Sequence, residues 1–492
     1  MTADLAVGLD LGTSRLKGVV ADPSGKVVAA AAEPYATARP EPGAAEQDPN
    51  DWERAARAVL VTLAESAPAA SWAGIGLSGM IPTLVTLDAE GRPVGPAITW
   101  EDARATAEGD AFREGLGGDD LYRRTGQWVD GRYLLPMFAR IRRTDPERAA
   151  ATSTIVGAKD HLFAVLTGRV ATDPSTATGF GCFDLSSGDW DEGLVAAGLG
   201  DGARPGLPSV EAPTATTPIR DDLAKELGLP ARIPVSVGAA DSVCGAWALG
   251  AVRAGDVAIV AGTSSVILGI AGEPRLDPEH RYLVTPLARA GWGLEMDLVS
   301  TGSAVGWLAS VLGAADEASV LAMAARAEPG ARGVSFLPFL GGGEQGALWD
   351  PSLRGTLAGL TLSHEPADLS RALLEGIVLE TRRCVDVLAG ATGSVGEIAV
   401  AGWMSADPVP QWLADSTGRT VRPATTGSGG ASALGAALVA AGTAGEAADI
   451  DGEARHPTAD GVERWGELWR RHARLVEAVR VPDGADGEES AR

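Results

Sequence analysis

One short pattern occurs twice in this chain, and it limits the possible folds more than any other feature. The stretch Asp4 to Val20 reads as an apolar strand, a tight Gly12-Thr13-Ser14 turn and a second apolar strand. Asp256 to Val260, the turn Gly262-Thr263-Ser264-Ser265 and Val266 to Ile270 repeat that grammar in the second half. Glycine takes backbone angles that a side chain would forbid, so such a turn can aim N–H groups and hydroxyls at one point. Converging donors form a cradle for an anion, above all a phosphate. Either turn alone also reads as an ordinary hairpin. Two of them, each opening a similar half, predict a duplicated α/β domain with a cleft between, where two turns hold one polyphosphate from both sides.

Two charged residues sharpen the first hairpin. Lys17 supplies a cation just after the turn. Asp10, at the end of the first strand, is repelled by a bare phosphate and makes sense beside one only with a metal ion between them. The reading is a site for nucleotide phosphate and Mg²⁺, with Asp10 on the metal side. The whole chain carries 41 basic and 65 acidic residues, a net charge of −24, which argues against a nucleic-acid or anionic-membrane partner. Positive charge for an anionic substrate must then come locally from Mg²⁺, Lys17 and backbone amides.

At 492 residues the chain is too long for one core, so two or more domains are expected. Its three cysteines, Cys182, Cys244 and Cys384, lie far apart and lack metal-ligand spacing. The start has no basic region of a secretory signal, and the longest apolar runs are too short to span a bilayer. A cytoplasmic protein is expected.

Along the chain, Gly25 to Ala29 predicts a third strand. Asp48-Pro49-Asn50-Asp51 predicts a helix start, with the helix running to about Ser66. Strands follow at Trp72 to Ser78 and Leu84 to Leu87, and a helix in two pieces over 132–167. In the second half come a helix at Ala367 to Leu388, a strand at Ile398 to Ala401, and helices at Pro410 to Thr417 and Ala431 to Ala441. A final amphipathic helix puts Trp465, Leu468, Trp469, His472 and Leu475 on one face, read as core contacts. The acidic end from Asp483 is expected to be disordered.

Between the halves, Val235 to Gly250 ends a strand in small residues, and Asp241 then opens a helix of small residues. The helix dipole keeps such a carboxylate ionised, and small neighbours admit a substrate. A carboxylate there can accept a hydroxyl proton as the hydroxyl attacks phosphorus.

With these residues in hand the chain resembles the FGGY carbohydrate kinases of the actin and hexokinase superfamily. Asp10-Leu-Gly12-Thr13-Ser14 with Lys17 is similar to the family's first phosphate motif. Gly238-Ala-Ala-Asp241 resembles its catalytic-base motif, and Gly262-Thr263-Ser264 its second phosphate motif. Ser335 to Gln345, Arg371 to Gly376, Gly402 with Gln411 and Asp415, and Ala433 to Ala437 come next in order, so the likeness covers nearly the whole chain. It implies two ribonuclease-H-like (actin-like ATPase) domains with a catalytic cleft between them. Residues 1–240 would bind sugar and carry the first phosphate hairpin, residues 241–445 would bind ATP, and 446–492 would form the terminal helix and tail.

The resemblance further implies ATP-dependent phosphorylation of a sugar hydroxyl, most like a xylulokinase. Asp241 would be the base and Asp10 the Mg²⁺ residue, directly or through water. Gly12, Thr13, Ser14, Lys17, Gly262, Thr263 and Ser264 would bind phosphates, and Gly302, Gly306, Gly402 and Trp403 would line the nucleotide site. Met80, Ile81, Trp100, Asp102, Asp241 and Ser242 would line the sugar site. The implied partners are ATP and a small sugar, with a homodimer as the expected assembly. The chain departs from the family pattern at Trp403, Gln345, Met80 and Pro82. A gluconokinase, another pentulose or polyol kinase, or a catalytically weak sugar sensor are the alternative readings.

Overall fold

The computed structural model describes residues 5–200, 204–341, 346–350, 352–424, 430–442 and 452–480. The chain forms two compact units: residues 1–253, 270–294 and 429–449 make the first, and 254–269, 295–428 and 450–492 the second.

The first unit is built on a twisted mixed sheet. Strands β1 (Leu5–Leu11), β2 (Arg15–Ala21) and β3 (Val27–Pro34) form an antiparallel meander. The third strand runs five residues beyond its expected end at Ala29, because β2 keeps pairing with it as far as Arg15 opposite Pro34. Helix α1 (Pro49–Ser66) starts where the sequence signals it, with the Asp48 carboxylate accepting from Asn50 N at 2.9 Å. It buries Trp52, Ala55, Ala56, Val59, Leu60 and Leu63 at helical spacing in the core of the sheet. Strand β4 (Trp72–Gly79) then lies parallel to β1, the connection passing through α1. The 132–167 region holds three helices rather than the expected two pieces: Leu134–Thr144 and Pro146–Ala151 come before a short strand, Thr154–Val156, paired with Val85–Leu87, and α2 (Ala158–Thr167) comes after it.

Strands β5 (Pro234–Ser236) and β6 (Ala239–Ala240) both pair parallel with the far side of β4, and α3 (Asp241–Ala248) leaves β6 directly. The helix Ala431–Ala440, far away in sequence, closes this sheet. It approaches so closely that a Cβ on Gly8 would lie 1.8 Å from Ala433 O and one on Gly76 1.9 Å from Ala436 O. Only glycine fits at those two points.

The second unit repeats the scheme. Strands β7 (Val257–Ala261) and β8 (Ser265–Ala271) form an antiparallel hairpin, with β9 (Trp292–Leu298) beside β8. Helices α4 (Gly302–Leu312), α5 (Glu317–Arg326) and the long α6 (Pro366–Thr392) come next. Strand β10 (Ile398–Gly402) returns parallel to β7, then come α7 (Val409–Thr417) and β11 (Val421–Pro423), parallel to β10. The spatial order β9-β8-β7-β10-β11 matches β3-β2-β1-β4-β5, so the expected duplication is present in the topology.

The terminal helix Ala459–Val479 buries Trp465, Leu468, His472 and Val476, with Trp469 and Leu475 partly buried. His472 Nε2 lies 2.5 Å from the buried Glu380 of α6, which agrees with the reading of this face as core. No single described helix is long and apolar enough to cross a membrane. The Gly343-Glu344-Gln345 motif and the chain beyond Arg480 lie outside the described residues.

Candidate active site

In the first unit, the β1–β2 turn carries the expected residues. Asp10 sits opposite Lys17 on β2 and beside Ser78 on β4, whose Oγ donates to Asp10 Oδ1 at 3.1 Å. Asp10 is only 5% exposed. Burial pushes its carboxyl above the usual carboxylate range, and the Lys17 charge and Ser78 hydroxyl do not fully offset that.

The turn itself is held from outside. Gly12 N donates to Arg15 O at 3.2 Å, and the Tyr35 hydroxyl donates to Gly12 O. Gln47 Nε2 donates to Thr13 O at 2.6 Å, and Trp100 Nε1 to Thr13 Oγ1 at 3.2 Å. Ser14 is exposed, and its carbonyl accepts from Tyr35 N. Gly12 is not in the left-handed region, so backbone angle is not why glycine stands there. A Cβ there would stand at ordinary contact distance, 3.4 Å from Arg15 O and 3.8 Å from Asp10 Oδ2.

Asp241 is the first residue of α3 and partly exposed; the cap position before it is Ala240. The strand register relates it to Asp10. Leu11 pairs with Gly79 on one side of β4, and Ala240 pairs with Gly79 on the other. The two acids therefore flank β4 at the carboxyl ends of three parallel strands, two strand spacings or about 10 Å apart. Open α/β sheets bind ligands outside those ends. Ser432 Oγ, from the closing helix, donates to Asp241 O at 3.0 Å.

The residues expected at the sugar divide. Ile81 and Trp100 remain partly exposed, Trp100 packing against the first core as well as bonding Thr13. Ser242 is buried, and its Oγ has no hydrogen-bond partner among the described residues. Met80 is 2% exposed and belongs to the apolar core under β4, where a long flexible side chain fills volume. Asp102 is also committed elsewhere. Its oxygens accept from Ala45 N at 2.9 Å and from Arg104 N, Nε and Nη2 at 2.7–3.1 Å, so it orders the segment leading to Gln47.

The second unit holds a cavity of about 340 Å³ lined by Ala261, Gly262, Thr263, Gly302, Gly306 and Trp403, among others. Thr263 is exposed at the β7–β8 turn, and its carbonyl accepts from Ser303 N at 3.0 Å, tying the turn to the start of α4. Gly262 N donates to Ser264 O at 2.8 Å, the counterpart of the Gly12 bond. Two glycines are sterically required. A Cβ on Gly302 would lie 2.2 Å from Gly262 O, and Gly402 has φ +82° with its missing Cβ 1.8 Å from Ala261 O. The indole Nε1 of Trp403 is buried without a partner among the described residues. Glu317 and Leu321 also line the cavity, and a Cβ on Gly306 would meet Glu317 Oε1 at 3.0 Å. Sequence reasoning missed both, since α5 carries no motif of its own.

Residues 5–248 match the model of the FGGY family of carbohydrate kinases, N-terminal domain, and residues 257–444 match its C-terminal domain. The chain belongs to the FGGY family of carbohydrate kinases. It is 30% identical over 436 residues to the xylulose kinase of Klebsiella pneumoniae, covering 88% of this chain and 89% of that one. The gluconokinase of Bacillus subtilis (strain 168) is 28% identical over 76% of this chain and 74% of its own. The crystal structure of xylulose kinase from Rhodospirillum rubrum superposes with a TM-score of 0.86, at 31% identity, over 96% of this chain and 99% of that one. This FGGY chain is thus a two-domain α/β kinase of the actin and hexokinase type, a phosphotransferase with an alcohol group as acceptor.

The residues present suit a family Mg²⁺. No group of three or more His, Cys, Asp or Glu among the described residues forms a metal cage. Mg²⁺ bound with substrate phosphates needs only one or two carboxylates and keeps several waters. Asp10, buried and incompletely compensated, has the character of such a ligand.

Proposed function

We propose that this kinase transfers the γ-phosphoryl group of ATP to a hydroxyl of a ketose, most like a xylulokinase. The observation that carries the proposal is the pair of acids, Asp10 and Asp241, flanking β4 at the carboxyl ends of parallel strands. Asp241 takes the proton from the acceptor hydroxyl as the oxygen attacks the γ-phosphorus. The bond from that phosphorus to the β–γ bridging oxygen breaks, and ADP leaves. Asp10 would hold Mg²⁺, which when bound neutralises charge on the phosphates. Gly12, Thr13, Ser14 and Lys17 in the first unit, and Gly262, Thr263 and Ser264 in the second, each offer amides and hydroxyls to phosphate, and Lys17 adds an ammonium. Gly302, Gly306, Gly402 and Trp403 line the nucleoside end, where the unpartnered indole N–H offers a donor. The first unit then serves the acceptor, the second serves the nucleotide, and the setting is the cytoplasm.

The named relatives support a sugar or sugar acid as acceptor, with xylulose favoured by identity and coverage and gluconate as the second reading. A coupled ADP-release screen over pentuloses, heptuloses, polyols and aldonic acids tests the choice. A pentulose is expected to give the highest kcat/KM; a preference for an aldonic acid overturns the xylulokinase reading. Asp241→Asn, run beside it, is expected to lose at least about a thousandfold in kcat with the fold intact. Turnover near the wild-type rate in that variant would remove Asp241 from the chemistry.

A further inference from the structure

The strand that delivers Asp241 is irregular, and the irregularity is held by side chains that no part of the chemistry above uses. Four steps from Val235 to Ala239 answer three on β4 from Ile75 to Ser78, so one extra residue is inserted between β5 and β6. The chain jogs at Gly238, with φ +81° and with its missing Cβ only 1.8 Å from Leu77 O. Such a bulge re-aims the residues just after it, Asp241 among them.

Two backbone groups flanking the jog are held by a buried side-chain network. On one side, Lys159 Nζ donates to Val237 O at 2.9 Å. On the other, Ala240 N donates to Ser175 Oγ at 2.9 Å. The two anchors share Asp173. Lys159 Nζ lies 3.2 Å from Asp173 Oδ1, and the Ser175 hydroxyl donates to Asp173 Oδ2. Asp160 Oδ1, 2.9 Å from Lys159 Nζ, completes the charge pairing, while Thr176 Oγ1 donates to Asp173 Oδ1 at 2.6 Å. Lys159, Asp160 and Asp173 are fully buried, and Ser175 is 1% exposed. Asp160 and Asp173 both touch the ammonium, so the network is satisfied within itself.

We infer that Lys159, Asp173 and Ser175 are positioning residues that fix the bulge before Asp241 and so set the aim of its carboxylate. The inference rests on the reading of Asp241 as the base. The Ser175 hydroxyl is the point to test, because it accepts from the amide one residue before Asp241 while donating to Asp173. Replacing Lys159 would strand two buried carboxylates and risks the fold, so the informative pair is Ser175→Thr and Ser175→Val. Both add the same volume, and only threonine keeps the hydroxyl.

Ser175→Thr is expected to stay within about threefold of wild-type kcat, while Ser175→Val loses about tenfold or more, equivalent to about 1.4 kcal/mol on the barrier. The KM for ATP should stay unchanged in both, and their melting temperatures should agree within a few degrees. Equal kcat values for the two variants overturn the proposal, as does a Ser175→Val loss that appears only in KM. If Ser175→Val does not fold, Ser175→Ala serves in its place, again read against Ser175→Thr. Asp241→Asn assayed in parallel separates the two readings. If that variant keeps wild-type kcat, the base assignment fails whatever the Ser175 variants do. If it is inactive and the Ser175 pair is equal, only the positioning role fails.

Discussion

Asp10, the proposed Mg²⁺ residue, is held in a way that burdens the free protein. Its carboxyl is buried and held above the ordinary range, so the ionised form is disfavoured in the folded state. A carboxyl raised on folding costs stability at pH values above its unfolded pKa, and the cost disappears as the pH falls below it. Asp10→Asn is therefore expected to raise the melting temperature of the ligand-free protein by a few degrees at neutral pH. In the same variant kcat should fall far more than sugar affinity. A melting temperature that drops would show that the Ser78 and Lys17 contacts outweigh burial, and unchanged turnover would make this carboxylate structural. At the same scale, the residue types at the turns are legible in the sequence while their packing is not. The motif position of Met80 points to a sugar contact, but its side chain turns into the core. The turn sequence predicts a special backbone angle at Gly12, whereas that residue lies outside the left-handed region.

Among elements, the terminal helix makes the clearest energetic case. Burial alone would raise Glu380 on α6, yet the His472 hydrogen bond and the His472 and Arg383 charges hold its carboxyl down to about 2. A carboxyl depressed on folding contributes stability that is complete above its unfolded pKa, about 4.3 for glutamate. That contribution fades as the pH falls toward 2. Urea melts of wild type and Glu380→Gln should thus differ most near roughly pH 6 and converge only near roughly pH 2. A gap that stays constant over that range would mean that Glu380 acts through packing alone. The helix itself is legible from its apolar spacing. Its docking on α6 is not, because the partner lies 92 positions away and neither residue carries a local signal for the other.

For the molecule as a whole, the order of the chain and the order of the units differ. The first unit is completed by residues 270–294 and by the helix Ala431–Ala440. Gly8 and Gly76 are shaped to receive that helix, and Tyr122 and Gln127 bond Tyr282 O and Val284 O. A chain ending at Arg253 lacks all these partners. It should give a broad, weakly cooperative urea transition, against a steep one for the full chain. A sharp transition in the shortened chain would show that the first unit's core suffices by itself.

The amino-acid sequence by itself determined the duplicated hairpin grammar, the principal helices and strands, and the acids and glycines proposed to carry the chemistry. These depend on short-range rules: hydrophobic period, capping and turn chemistry act over a few residues and leave a local trace. Tertiary structure alone decided which helix closes the first sheet, that the strand before Asp241 gains a bulge, and that Lys159, Asp173 and Ser175 brace it. Those outcomes come from close packing and from buried polar groups finding partners across tens of residues. The opening hairpin reads as a phosphate site from its own sequence, while the backbone before Asp241, the base proposed to work beside it, is held by contacts between distant segments.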